Sequence, residues 1–227
     1  MKLEAIVPWG RNKKEYMEMF ALEREDILNK RILGCGDGPS SFNAEVHYEE
    51  GSAVSVDPLY AYSKKEIMQR IDEVTDEVMT QVRASRELFV WKNISDVDSL
   101  EYLRIEAMME FLMDYDEGKE EGRYIDASLP DLPFDSDTFD LALSSHFLFL
   151  YSGYLDEDFH IRSILEMLRV ANEVRIFPLL TLSNEHSPYL EVVIDRLRSK
   201  GFHAEVVKTA YEFQKGADEM LKITRGE

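Results

Sequence analysis

The chain has 227 residues, enough for one substantial core, and its 45 Asp and Glu against 26 Lys and Arg leave a formal net charge of −19. A phosphate backbone meets mainly repulsion from such a chain, so nucleic acid is not the expected partner. One cysteine, Cys35, excludes an intramolecular disulfide and with it the stapled scaffold of a small secreted protein.

Met1 to Gly10 lacks a basic start followed by a long apolar run, and no stretch approaches the ~18 apolar residues of a membrane span. The expectation is a single cytoplasmic domain over 1–227 with no membrane partner. The cationic stretches Arg11 to Lys14 and Arg196 to Lys200 are short and read as solvated helix faces.

An amino-terminal helical segment occupies 1–29: Tyr16, Met19, Phe20 and Ile27 recur near every third or fourth position, which predicts one helix from Lys13 to Leu28. The strand Arg31 to Leu33 follows. Gly34-Cys35-Gly36-Asp37-Gly38-Pro39 breaks any regular element and lets a helix or turn begin near Ser40. A second strand, Ala53 to Val56, ends at Asp57-Pro58. Residues 61–122 form a helical insertion between strands. Ile67, Ile71, Val74 and Val78 mark one helix from Ser63 to Val82, and Leu100, Leu103, Ala107, Phe111 and Leu112 mark another from Asp96 to Tyr115. The segment around Leu88, Phe89 and Trp91 lies between them as an elaboration beside the sheet.

Tyr124 to Asp126 and Phe139 to Ser144 read as strands, and Asp156 caps a helix running to Val170. Glu173 to Leu180 is a further strand. Ser187-Pro188 opens a helix that Gly201 stops. The strands His203 to Lys208 and Met220 to Thr224 close the chain around a turn at Gly216. Strands alternating with helices and ending on a strand pair predict an α/β sheet, parallel except at one edge.

The glycines at 34, 36 and 38 allow backbone N–H groups to approach a ligand at the carboxyl end of a strand. The dinucleotide fingerprint G-x-G-x-x-G has Pro39 in its last place, which disfavours NAD, and no P-loop pattern is present. Asp57, at the end of the second strand, is placed to accept from both hydroxyls of a ribose. Asp126 at the end of the third strand can accept from an adenine amino group, with Leu59 and Ala127 flanking the base. Ser144-Ser145-His146 ends the fourth strand beside the same cleft.

In four ordered places the chain resembles the class I S-adenosylmethionine-dependent methyltransferases: Leu33-Gly34-Cys35-Gly36-Asp37-Gly38; Val56-Asp57-Pro58; Asp126 with Leu132-Pro133-Phe134; and Asp137-Thr138-Phe139-Asp140-Leu141-Ala142-Leu143-Ser144. The resemblance covers roughly residues 30 to 225. It implies a Rossmann-like seven-stranded sheet in the order 3-2-1-4-5-7-6 with strand seven antiparallel and helices on both faces. It also implies S-adenosylmethionine as cofactor. Gly34, Gly36 and Gly38 would approach the methionine end, Asp57 the ribose and Asp126 the adenine, and Cys35, Asp37, Pro58, Leu59, Ala127, Ser144 and Ser145 complete the cofactor-binding set. The family usually carries an acidic residue two positions before the first glycine, where this chain has Ile32. Asp37 or a residue of the amino-terminal helix is the candidate substitute for holding the methionyl amine.

Methyl transfer from a sulfonium draws much of its rate from alignment in a dry pocket, and no catalytic side chain is obligatory. For a hydroxyl or ammonium acceptor, His146 is the candidate base; otherwise it packs against the cofactor or bonds a loop carbonyl. His160, His186 and His203 lack partners at ligand spacing, so no metal is expected. Cys35 reads as a small structural residue and not as a nucleophile. Tyr16, Met19 and Phe20 form a core face or a lid, and Trp91, Tyr151 and Tyr154 either line an acceptor pocket or seal the insertion. The fourth strand is not followed by the Asn/Asp-Pro-Pro-Tyr/Phe signature of nucleic-acid amino methylation. A small-molecule acceptor is therefore expected ahead of a protein one, and the alternative is a protein that binds the cofactor without transferring its methyl group. Oligomeric state is not legible.

Overall fold

Seven strands join one sheet: Arg31–Cys35 (β1), Ser52–Val56 (β2), Tyr124–Ile125 (β3), Phe139–Ser145 (β4), Ala171–Phe177 (β5), Phe202–Lys208 (β6) and Glu219–Arg225 (β7). In this computed structural model, which describes residues 6–226, their order is β3-β2-β1-β4-β5-β7-β6. The start of the stretch read for a leader, 1–5, lies outside the described residues, as does 227. β1 through β5 pair parallel, and β7 runs antiparallel to both β5 and β6. This is the Rossmann-like sheet expected from the resemblance, reversed strand included.

The order follows from the side chains. β4 is buried almost throughout, as a parallel strand covered on both faces must be, whereas β6, at the edge, buries only Ala204. Helices Glu157–Val170 (α6) and Leu190–Ser199 (α7) cover one face through Ile164, Met167, Val193 and Leu197, which pack on Leu33, Ala142, Val174 and Ile176. The opposite face receives Lys13–Phe20 (α1), Arg24–Asn29 (α2) and Phe42–Tyr48 (α3) through Tyr16, Phe20, Ile27, Phe42 and Val46, packed on Ile32, Leu141 and Leu143. Among the described residues no helix is long and apolar enough to cross a membrane.

Three elements differ from the sequence reading. The helix expected over 13–28 is two: Ala21 enters the left-handed region at φ 47°, and the Glu23 N–H, bonded to Asp26 Oδ2 at 2.9 Å, begins a new helix. α3 is a full helix where only a turn or helix start was foreseen, since Phe42, Ala44 and Val46 bury its inner face. β5 spans 171–177 and not 173–180, because Pro178 supplies no N–H to continue the ladder. The insertion consists of Lys64–Ala84 (α4) and Val97–Glu120 (α5), which pack on each other above the β2–β3 end of the sheet.

Candidate ligand site at the strand ends

After β1 the chain turns sharply. The Gly36 N–H donates to Val56 O at 2.9 Å, which ties the bend to β2, and both Gly36 (φ 65°) and Gly38 (φ 54°) adopt the left-handed conformation that glycine takes without strain. Asp57 leaves β2 beside this bend and accepts from the Gly38 N–H at 2.9 Å and the Leu59 N–H at 2.8 Å. Burial outweighs these two bonds and raises its pKa from 3.8 to about 6. Each oxygen retains a lone pair, so the carboxylate is oriented but not saturated.

Asp37 is engaged differently. Its oxygens accept from Tyr16 Oη at 2.5 Å and Ser55 Oγ at 2.6 Å, and burial lifts its carboxyl above the usual range. The same burial, with Asp37 beside it, keeps the Tyr16 phenol protonated. A Cβ on Gly34 would overlap the Asp37 carboxylate, so that glycine makes room for a side chain of the protein itself. At Gly38, by contrast, a Cβ would meet nothing within 4 Å: the bend opens onto free space there.

That space is a cavity of about 1090 Å3, at the upper end of the ~300–1,000 Å3 of small-molecule sites. Its strand-end wall includes Gly36, Asp37, Gly38, Asp57, Pro58, Leu59, Asp126, Ala127, Ser145 and His146. Of the positions implied for the cofactor, Gly34, Cys35 and Ser144 stay off this wall, in the sheet behind it. The opposite wall is built by residues far apart in sequence: Val7 and Trp9 before α1, Val78, Val82 and Leu100 of the insertion, Leu88 and Phe89 between its helices, then Phe147, Leu150, Tyr151 and Phe213. Tyr151 is on the wall and its hydroxyl accepts from the Val7 N–H; Trp91 and Tyr154 are not, and Trp91 packs edge-on to Phe213. Tyr16 touches the cavity, but Met19 and Phe20 belong to the core face.

Beneath this wall lies an ion cluster that the sequence reading missed. Arg104, 1% exposed, donates two bonds of 2.5 Å to Glu15, which also accepts from Tyr211 Oη at 2.9 Å. Despite its burial, Glu15 is held below the usual carboxylate range by Arg104 and, at longer range, Arg11. A signal was present: Arg104 stands four residues after Leu100 and three before Ala107, on the apolar face of α5, while Leu103 is only half-buried.

Arg11, expected on a solvated helix face, instead precedes α1 and turns into the cavity, because Asn12 is the helix cap. Its Nη1 donates to Trp9 O at 3.1 Å, and its Nε is buried without a hydrogen-bond partner. Burial and the neighbouring Arg104 lower its pKa.

His146 follows β4 at φ 52°, with its N–H bonded to Phe177 O at 2.6 Å and its Nδ1 3.0 Å from Ser145 Oγ. Burial, then the charges of Arg11 and Arg104, push its pKa well below 6.5. The ring is therefore neutral, and it gains little by taking a proton next to two cations, which works against the role of general base. Among the described residues no group of three or more His, Cys, Asp or Glu is placed to hold a metal ion.

No family model matches the chain. In fold it is similar to magnesium protoporphyrin IX methyltransferase from Synechocystis PCC 6803 solved with bound SAM, at 11% identity and a TM-score of 0.47, over 88% of this chain and 72% of that one. A SAM-dependent methyltransferase from Aquifex aeolicus is similar at 12% identity and a TM-score of 0.43, over 92% and 90% of the two chains. In sequence it is 34% identical over 226 residues to the uncharacterized protein MJ0045 of Methanocaldococcus jannaschii, covering 99% of both. The chain belongs to the family of that archaeal protein.

Proposed function

We propose that the protein is a cytoplasmic S-adenosylmethionine-dependent methyltransferase acting on a small molecule. The observation that carries this reading is Asp57: a buried carboxylate with spare acceptor capacity, held on the wall of the cavity next to a glycine whose missing side chain leaves that wall open. The sequence places it where a ribose diol is gripped in this type of sheet.

The residues present fit such a group in most respects. Asp57 would accept the two ribose hydroxyls, Leu59 and Ala127 would flank the adenine with Asp126 as acceptor for its amino group, and Gly38 would let the methionyl chain pass, the space beside Gly36 being taken by Phe147. Ile32 is fully buried in the core and gives the methionyl amine nothing, and Asp37 already accepts from Tyr16 and Ser55. Bound there, S-adenosylmethionine supplies a methyl group on a positively charged sulfur, open to displacement by a nucleophile. The protein's share is to align that nucleophile and exclude water, and the apolar far wall suits both tasks. His146, neutral beside its cations, positions and desolvates the neighbourhood of Ser145 without having to move a proton.

Thermal stability with candidate ligands tests the reading. S-adenosylhomocysteine at about 100 times its Kd adds about 2.7 kcal/mol to unfolding, a rise of several degrees, while NADH at the same concentration adds nothing. Indifference to S-adenosylhomocysteine, or a larger response to NADH, overturns it.

A further inference from the structure

Arg11 is the one cavity-lining cation in the interior whose charge the described residues leave unanswered. Arg104 is neutralised by Glu15, and Arg70, at the outer rim, is paired with Glu73. No carboxylate among the described residues lies within ion-pair distance of Arg11. Its Nη1 is spent on Trp9 O, and the opposite edge of the guanidinium, Nε with Nη2, makes no hydrogen bond among the described residues, with Nε sealed from solvent. A guanidinium with donors to spare, on a side chain that lines the cavity, is suited to a carboxylate. The chain as a whole is acidic, yet this corner is positive enough to help hold His146 in its neutral form. A half-buried cation without an ion-pair partner costs free energy that an arriving anion offsets.

We infer that the cavity takes a second, carboxylate-bearing and otherwise apolar small molecule, and that Arg11 is the group that binds its carboxylate. The inference rests on the methyltransferase reading for that molecule's role as acceptor. Its chemistry follows from the walls. A single unpaired cation balances one negative charge, as a carboxylate carries, rather than the nearly two of a phosphate monoester. The body of the molecule lies against Phe89, Phe147, Leu150 and Phe213, whose side chains offer no hydrogen bonds, with Trp9 adding a broad ring and a single indole N–H, and these favour an aromatic or long aliphatic skeleton. An ammonium acceptor is disfavoured by the same positive corner.

Calorimetric titration of the full chain with 4-phenylbutyrate, trans-cinnamate and octanoate, each beside its uncharged amide, reads the inference directly, with and without saturating S-adenosylhomocysteine. Each acid is expected to bind at least tenfold tighter than its amide. Arg11→Gln removes that preference and Arg11→Lys restores part of it, while S-adenosylhomocysteine affinity changes less than threefold in both variants. Equal binding of acids and amides by the unaltered protein, or an acid preference that survives Arg11→Gln, overturns the inference.

The other source of a carboxylate is the methionyl tail of the nucleoside itself. If Arg11→Gln weakens S-adenosylhomocysteine tenfold but leaves 5′-methylthioadenosine unchanged, that tail is what Arg11 holds, and the assignment to a second molecule fails. Failure of S-adenosylhomocysteine to bind at all removes the methyltransferase reading, whereas the acid-over-amide ratio without it still decides whether Arg11 is an anion site.

Discussion

The buried Arg104 and Arg123 are ion-paired and the half-buried Arg11 is not, and the three lie in different relations to the cavity. Arg123, at the foot of β3, places Nη1 and Nη2 on Asp114 at 2.6 and 2.8 Å, Nε on Glu121 at 2.7 Å, and shares Nη1 with Asn43 at 3.0 Å, while Tyr124 Oη completes Asp114 at 2.8 Å. The one guanidinium there is answered by two carboxylates and is not part of the cavity lining; the cluster fastens α5 and α3 to the edge of the sheet. Arg104 and Glu15 repeat that closed arrangement between α5 and α1, with Arg104 itself reaching the cavity. Arg11 lines the same cavity without an ion-pair partner among the described residues. The contrast separates a scaffold ion pair, whose parts are worth most to one another, from a cation whose worth lies in what it binds.

Removing one partner from a closed cluster is the largest effect expected. Glu15→Gln leaves the buried Arg104 guanidinium uncompensated and lowers the unfolding free energy by about 3–5 kcal/mol, read from denaturant midpoints, while Asp114→Ala, which leaves Arg123 its bond to Glu121, costs less. Arg11→Gln should have the opposite sign, leaving the unliganded protein as stable as before or more so, because it deletes a half-buried charge that lacks a partner. A loss at Arg11 as large as at Glu15 would erase the distinction drawn above.

The next effect separates the two ends of the cavity. Asp57→Ala deletes the proposed acceptor for ribose hydroxyls and should weaken S-adenosylhomocysteine by about 1.5–3 kcal/mol, roughly ten- to a hundredfold. Its pKa fixes a pH dependence as well. Hydroxyl donors need the ionised carboxylate, so affinity rises with pH through about 6 and falls roughly tenfold by pH 5, a trend that Asp57→Asn flattens. For stability the sign reverses. Between 3.8 and about 6 the folded chain keeps a proton that the unfolded chain has released, so this group's contribution to folding is present in acid and is lost as pH rises through that window.

A smaller effect comes from the bend. Gly38→Ala places a Cβ at φ 54° in open space, with strain of about 1–2 kcal/mol and no clash inside the protein. Its larger consequence should fall on the ligand, as a loss of S-adenosylhomocysteine affinity exceeding the loss of stability. An affinity left intact would mean that the nucleoside does not pass over the bend.

The strand-end half of the site was legible because its parts are local. Gly36 and Gly38 announce left-handed backbone, Asp57-Pro58 announces the end of a strand, and each lies within a few residues of the element that positions it. The far wall was not legible, since it depends on pairings such as Arg104 with Glu15, 89 residues apart, and Tyr211 with Glu15, 196 apart. Periodicity finds the apolar face of α5 but assigns a charged residue to water by default, and so it passed over Arg104 and favoured Leu103. Arg11 was misread for a related reason: its basic neighbours Lys13 and Lys14 suggested one solvated face, whereas the helix begins only after Asn12. The break at Ala21 left no glycine or proline to mark it.

Cys35 gives the smallest effect and the cleanest control, because it interrupts the glycine bend in sequence while facing away from the cavity in space. It is fully buried among Leu33, Val56, Ala142 and Leu148, and burial, with Asp37 and Glu166 adding negative charge, raises its thiol well above the usual range. A thiol so placed is neither a nucleophile nor part of the wall. Cys35→Ala should therefore cost about 1 kcal/mol, the loss of roughly one buried methylene's worth of contact, and leave S-adenosylhomocysteine affinity within twofold. The native protein should resist iodoacetamide until it unfolds. Fast labelling of the folded chain, or an affinity lost with the sulfur, would move Cys35 onto the ligand side of the bend and reverse the inside and outside of the turn on which Gly36, Gly38 and Asp57 are placed.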